Sequence, residues 1–235
     1  MLIAAANAAR ARPWAVEPAV ATSFCRAATS AATSRSTRNA LRERLRDARF
    51  GSRHDGLWVR PGDHRAEVEA MVAELPAAPT EDQLTVFVGA RLSEQEGPRI
   101  VRDAFGLDEL AAAYRRFAEE WEPVAQRLRD AASGRRGRGA ASVVDENEAL
   151  RLRTSIMREW RELRHADPML PQELLGSGFP FERALSVCAA IYDSTGAAAE
   201  AAFRRILAPH APELTSSTSH HTFAAYAGEG SAHTR

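Results

Sequence analysis

The sequence has 235 residues, of which 45% are hydrophobic and 26% charged, a composition that allows one or two domains with a hydrophobic core. Its 31 basic residues, all arginine, balance 31 acidic ones. A net charge of zero excludes a nucleic-acid binder that works through overall positive charge, although local basic patches are compatible with it. The apolar runs are shorter than the roughly 20 residues of a membrane-spanning helix, so we expect no membrane association.

The chain has two cysteines, Cys25 and Cys188, and neither has a partner at a metal-ligand spacing. Such sparse cysteine usage suits a reducing compartment rather than a disulfide framework. We therefore predict a cytoplasmic protein that carries no metal and no cofactor.

Residues 1–37 are rich in Ala, Ser, Thr and Arg, contain one acidic residue and show no sustained period of 3.6 or 2. We predict that this segment is disordered or reflects a misassigned start. An Arg-bearing, acid-poor segment also resembles a transit peptide, which remains an alternative, whereas the apolar core of a secretion signal is missing.

Residues 38–97 show the order helix, hairpin, helix, strand. An amphipathic helix with Leu41 and Leu45 on one face comes first, followed by a hairpin around Asp55-Gly56. A helix capped by Asp63 and an apolar strand over residues 84–90 complete the set. This order predicts a ferredoxin-like βαββαβ module that lacks its first, central strand. The nearby stretch 14–24 is a poor candidate for that strand because Pro18 interrupts it.

Residues 98–209 read as an all-helical domain. An apolar stripe with spacings of three and four runs from Leu107 to Leu128, and a second helix with an inward face extends from Pro180 to about Leu207. The basic, glycine-rich stretch 133–139 between the helices reads as a flexible linker rather than a phosphate-binding loop, because no strand precedes it. Residues 210–235 are predicted to form a disordered tail. The fold class is therefore α+β and mostly helical.

The best-marked helix lies between Asp145 and Ala166. Asp145 followed by Glu148 has the spacing of a capping box, and Asp167-Pro168 provides the stop. Its apolar residues fall within about one quarter of the helix circumference, which indicates a core face; they are Ala149, Leu152, Ile156, Trp160 and Leu163.

Three stretches resemble one known family. GSRHDGLWVRPG at 51–62 is similar to the hairpin that PaaX-type transcriptional regulators carry in a central domain related in fold to the small CRISPR adaptation nucleases. LDELAAAYRRFAEEW at 107–121 and REWRELRHADPMLPQELL at 158–175 look like that family's C-terminal domain. The resemblance implies a homodimeric bacterial repressor with an N-terminal winged helix, which controls aromatic-acid catabolism and is released from DNA by phenylacetyl-CoA.

The sequence departs from the family pattern at three places. Residues 1–37 cannot supply the three helices and wing of a winged-helix domain, and the tryptophan-rich strand that opens the central domain is missing. Residues 178–181, Gly-Phe-Pro-Phe, stand where the family more often has Trp-Pro-Gly. We therefore expect DNA binding only if a winged-helix domain is missing from this reading frame, and no specific DNA binding by the chain as written.

Four residues are candidates for contacts with an acyl-CoA effector: Trp160, Arg164, His165 and Asp167. An aromatic ring can bind the acyl or adenine group, and arginine can bind phosphates. Each residue also has a structural interpretation. Trp160 lies on the core stripe, Arg164 can pair with a nearby Glu, His165 suits a helix C-terminus and Asp167 suits a cap or turn.

Enzyme activity is not expected. His54-Asp55 lacks the second His and Asp of a metal-dependent phosphohydrolase, and His220-His221 lies in a predicted tail that cannot preorganise a metal. The sequence therefore favours the effector-binding and dimerisation part of a repressor. The alternative is a protein-interaction module, or a truncated remnant, that does not bind DNA.

Overall fold

The computed structural model describes residues 23–29, 35–54, 56–75, 84–91, 95–133 and 144–224. They belong to two compact units. The mixed unit comprises the described residues of Ala9–Glu109 together with Asp167–Gly178. The helical unit comprises those of Leu110–Ala166 and Phe179–Arg235. The described residues include no helix that is long and apolar enough to cross a membrane.

The mixed unit contains a four-stranded sheet. Its elements are β1 (Ser23–Thr29), α1 (Arg35–Asp47), β2 (Gly51–His54), β3 (Leu57–Pro61), α2 (Arg65–Ala73), β4 (Leu84–Arg91) and α3 (Gly97–Ala104). The strand order is β2-β3-β1-β4, and every neighbouring pair is antiparallel. This is the order of a complete βαββαβ module.

The prediction that the first strand is missing is wrong. Strand β1 occupies the central position, where Arg26 pairs with Val59 of β3 on one side and with Phe87 of β4 on the other. It lies inside the segment 1–37 that we predicted to be disordered, and its first two residues, Ser23 and Phe24, are the last two of the rejected stretch 14–24. A strand bonded along both edges obtains its stability from backbone hydrogen bonds to distant segments. Such a strand needs no strong local pattern, and the sequence SFCRAAT indeed shows little of the β-branched or alternating pattern that marks a strand.

The core of the mixed unit forms where α1 packs on the sheet. Leu41 and Leu45, one turn apart on α1, are fully buried and meet Trp58 of β3 and Val68 of α2. This confirms the predicted inner face of α1. The predicted hairpin is confirmed as well: β2 pairs with β3, and Gly56 has a φ of 102°, which an L side chain rarely adopts. Asp55 lies outside the described residues.

The helical unit contains most of α4 (Leu107–Ala132), and α5 (Glu146–Ala166), α7 (Phe181–Ser194), α8 (Gly196–Leu207) and α9 (Pro212–Thr215). The short α6 (Gln172–Leu175) belongs to the mixed unit. Helix α5 packs against α7 and α8, and two hydrogen bonds join it to α4: Trp121 donates to Glu159 over 2.7 Å, and Arg127 donates to Glu148 over 2.9 Å. The two units together confirm the mostly helical α+β class.

Both ends of α5 confirm the prediction. The Asp145 carboxylate accepts the Glu148 N–H over 2.9 Å, and this hydrogen bond lowers the pKa of Asp145. The other half of the capping box, in which the Glu148 side chain reaches back to Asp145, differs from the prediction, because this side chain pairs with Arg127 of α4. Of the linker predicted at 133–139, residues 134–139 lie outside the described residues.

The predicted disordered tail is wrong over residues 210–224. Helix α9 follows α8, and the next residues, which are irregular up to residue 222 and helical at 223 and 224, are held against the helical unit by hydrogen bonds from side chains. Its Ser, Thr and His composition resembles that of a disordered chain because the contacts that order it come from residues far away in sequence. Residues 225–235 lie outside the described part of the chain.

Candidate functional site

Helix α5 carries Trp160 and Arg164 one turn apart, so that both side chains lie on the same side of the helix. The Trp160 ring is only 1% exposed. It lies 5.7 Å from the ring of Phe117, 5.9 Å from Phe181 and 6.1 Å from Tyr114, measured between centroids. These four rings, which we call the aromatic cluster, are at the distances of favourable aromatic pairs.

Arg164 lies against the same cluster. Its side chain is 8% exposed, and its guanidinium carbon is 5.0 Å from the centroid of the Phe181 ring, a cation–π distance. Nη1 is also 3.4 Å from the Tyr114 hydroxyl, which accepts a long hydrogen bond. Arg164 therefore holds a positive charge at the edge of the aromatic cluster.

The other two candidates are placed differently. His165, in the last turn of α5, is exposed. Asp167 is 1% exposed and belongs to the mixed unit, where its carboxylate accepts the Met169 N–H over 2.7 Å and its carbonyl accepts a hydrogen bond from Arg49 over 2.8 Å. Met169 has a φ of 60°, and an Asp side chain two residues earlier is a common way to stabilise such a turn. The structure thus brings Trp160 and Arg164 together, and it supports the turn interpretation of Asp167.

A cleft of about 170 Å³ lies elsewhere in the helical unit. It is lined by α5, α7, α8 and the irregular segment after α9, with the following residues: Leu150, Arg153, Tyr192, Ala199, Glu200, Phe203, Thr218, Ser219, His220 and His221. Tyr192 and Ala199 lie in the stretch from Pro180 to about Leu207 for which the sequence predicted an inward face. The sequence did not bring the lining residues together, because the last four belong to the predicted tail.

Charged groups organise this cleft. The Arg153 guanidinium lies 3.3 Å from the centroid of the Tyr192 ring and donates to the backbone carbonyls of Tyr192 and His221. Burial lowers the pKa of Arg153 from its ordinary value. Glu200 accepts a hydrogen bond from the His220 ring, and this contact lowers the pKa of the Glu200 carboxyl. The cation Arg153 and the anion Glu200 in this cleft thus both already bind other groups of the chain.

Catalytic and metal chemistry find little support in the described residues. They contain no group of three or more His, Cys, Asp or Glu side chains that could hold a metal ion. Cys188 is fully buried on the inner face of α7, and burial raises the pKa of its thiol far above the usual range. A thiol of this kind stays protonated and is a poor nucleophile.

Comparison with known proteins identifies two family domains in succession. The PaaX protein central Cas2-like domain matches residues 29–101, and the PaaX-like protein C-terminal domain matches residues 105–205. Neither model covers residues 1–28. No curated protein matches the sequence.

Among solved structures, the uncharacterized protein Rv0674 from Mycobacterium tuberculosis is similar, with 22% sequence identity and a TM-score of 0.45. The match covers 83% of this chain and 66% of that one, so the chain spans about two thirds of the length of the solved relative.

Proposed function

The chain belongs to the PaaX family through its central and C-terminal domains, and from this premise we propose that it is the effector-binding and dimerisation portion of a repressor of phenylacetate catabolism. The succession of both family domains on one chain carries the proposal. The four-stranded sheet module and the helical unit support it, because the described residues of both matched regions build a hydrophobic core. The family is regulatory, which fits a protein that is not an enzyme.

We further propose that the effector is an aryl-acyl-CoA such as phenylacetyl-CoA. Of the four candidate residues, His165 is exposed, whereas Trp160 and Asp167 are almost completely buried. An effector ring reaches Trp160 only by displacing a neighbour in the aromatic cluster. We therefore propose that His165 and the exposed atoms of Arg164 contact the effector directly. Trp160 and Asp167 hold the surrounding residues in place.

A calorimetric titration with phenylacetyl-CoA tests the effector. We expect saturable binding, and weaker or undetectable heat with coenzyme A alone, because the aryl group supplies apolar area. Arg164→Gln should weaken binding, whereas Arg161→Gln, an exposed arginine on the same helix, should leave it unchanged. If the parent protein is folded, as judged by its thermal melt, and binds no phenylacetyl-CoA, this effector is refuted.

Dimerisation and DNA binding are tested separately. Sedimentation equilibrium should show a homodimer; a monomer at all accessible concentrations contradicts that part of the proposal. In a mobility-shift assay we expect no sequence preference that survives about 150 mM salt, because phosphate contacts alone give salt-sensitive, non-specific binding. A specific shift under these conditions would show that this chain carries its own recognition element.

A further inference from the structure

Residues 218–224, which we call the strap, lie against the helical unit and are held mainly through their backbone; residues 218–222 have no regular secondary structure, and Phe223 and Ala224 are helical. Arg204 donates to the Thr218 carbonyl over 2.6 Å, and Arg153 donates to the His221 carbonyl. The Glu200 carboxylate accepts the His220 N–H over 3.0 Å. These contacts satisfy backbone donors and acceptors that a segment without regular secondary structure otherwise leaves to water.

A second carboxylate holds the end of the strap. Asp193, at the C-terminal end of α7, accepts the N–H groups of Phe223 and Ala224 over 2.7 and 3.2 Å. The surface formed by Arg153, Asp193, Glu200 and Arg204, together with Tyr192, is called the strap groove below. In this groove the two arginines donate to carbonyl oxygens of the strap, and the two carboxylates accept from its N–H groups. Charged partners make such hydrogen bonds stronger than those between neutral groups.

Two strap side chains add selectivity. The His220 ring packs on Gly196, where an added Cβ would collide with it, and its Nδ1 lies 2.5 Å from Glu200. Because a carboxylate only accepts, Nδ1 carries the hydrogen of this contact. Three residues later, the Phe223 ring meets the Tyr192 ring edge-on at 5.5 Å. The strap groove therefore fits a histidine followed three positions on by an aromatic residue.

The strap itself buries little apolar surface. Phe223 is half-buried, and His220, His221 and Ala224 are exposed. Segments held by exposed hydrogen bonds and few apolar contacts open at low free energy without unfolding of the domain. The groove residues also lie within the matched C-terminal family domain, whereas the strap lies beyond its last matched residue.

We propose that the strap groove is a binding surface for a peptide segment of the type His-x-x-Phe, and that residues 218–224 occupy it in cis as a detachable strap. Recognition of a peptide backbone by fixed polar groups, with side-chain contacts for selectivity, is a common mode of peptide binding. A tethered segment has an effective concentration in the millimolar range. The strap therefore excludes weaker peptides in trans and acts as an autoinhibitory contact.

The test uses the full chain and a fluorescein-labelled peptide with the sequence of residues 216–224, SSTSHHTFA. In the double variant His220→Ala/Phe223→Ala the strap is weakened while the groove is intact. We expect this variant to bind the peptide saturably in fluorescence anisotropy, at least about tenfold more tightly than the parent, because the competing cis segment is weakened. Adding Asp193→Ala to the double variant should remove the binding.

Two results would overturn the proposal. One is a double variant that melts like the parent but does not bind the peptide. The other is peptide binding that persists with Asp193→Ala, which places it elsewhere on the chain. If the double variant fails to fold, hydrogen exchange of the parent decides. The amides of His220, Phe223 and Ala224 should exchange more slowly than in the free peptide, and equal rates would show that the strap is not docked.

Discussion

The aromatic cluster and the strap groove belong to the same helical unit, yet different forces hold them. In the cluster, four rings exclude water and pack at the distances of favourable aromatic pairs. In the groove, arginine and carboxylate side chains bind the backbone of a largely exposed segment. Packing of the first kind is cooperative with the fold, whereas contacts of the second kind can open on their own. The unit thus joins a rigid interior to a surface that can exchange its occupant.

Trp160→Ala should produce the largest effect. Truncating a buried Trp removes its transfer free energy and leaves a cavity, at a cost of roughly 3 to 5 kcal/mol. Because whole domains are stable by only about 5 to 15 kcal/mol, much of the helical unit should unfold on mild heating. Thermal melts of the variant and the parent measure the loss.

Two comparisons sharpen this result. Arg151→Ala, at an exposed position of the same helix, should change the free energy of unfolding by less than about 0.5 kcal/mol. If Trp160 instead contacts the effector, its variant should melt like the parent and lose only the stabilisation that phenylacetyl-CoA gives. Melts with and without that ligand separate the two roles.

Ile156→Val, one turn before Trp160 on the buried face of α5, should have an intermediate effect. The side chain is fully buried, and removal of one methyl group typically costs about 0.5 to 1.5 kcal/mol. Urea unfolding followed by circular dichroism should show a lower midpoint with an unchanged slope. An unchanged midpoint would mean that this face is less tightly packed than the cluster indicates.

Phe223→Ala should have a smaller effect on global unfolding, at most about 1 kcal/mol, because its aromatic contact lies in the strap. Its effect on local opening should be larger. Hydrogen exchange at residues 218–224 should speed up while the amides of α5 keep the protection they have in the parent. Equal loss of protection at both places would show that strap and core unfold together.

Acid should weaken the strap through Glu200. The pKa of this carboxyl is lowered from 4.5 in the folded protein, mainly by its hydrogen bond from the His220 ring. A depressed pKa gives a contribution to stability that is present above the unfolded-state value and is lost as the pH falls through the folded value. The stability difference between the parent and Glu200→Gln should therefore be constant above pH 4.5 and shrink below it. A difference in the free energy of unfolding that grows in acid would show that the ionised Glu200 carboxylate is not the source of this stabilisation.

Local patterns predicted the parts of the fold that local physics determines. The start of α5 follows from Asp145, its end from Asp167-Pro168, and the burial of Trp160 from its place on a stripe with spacings of three and four. The inner face of α1, with Leu41 and Leu45, followed in the same way. In each case the residues that decide the structure are within a few positions of one another.

Strand β1 and the strap were missed because their partners are distant in sequence. Arg26 pairs with Val59 and Phe87, and the contact from Arg153 to His221 spans 68 residues. The partner side chains, moreover, bind the strap chiefly through its backbone, which is the same in every sequence. For the candidate effector site, the sequence identified Trp160 and Arg164 as neighbours but could not show that aromatic rings from α4 and α7 cover the tryptophan.

The central position of β1 also limits where the protein can be cut for expression. A fragment that begins at Arg38, where the recognisable sequence pattern starts, would lose the strand that β3 and β4 share. The hairpin and β4 would then each present an unpaired row of N–H and C=O groups. Open edges of this kind recruit strands from other molecules. Such a fragment should therefore collect in inclusion bodies, whereas one that begins before Ser23 should remain dispersed.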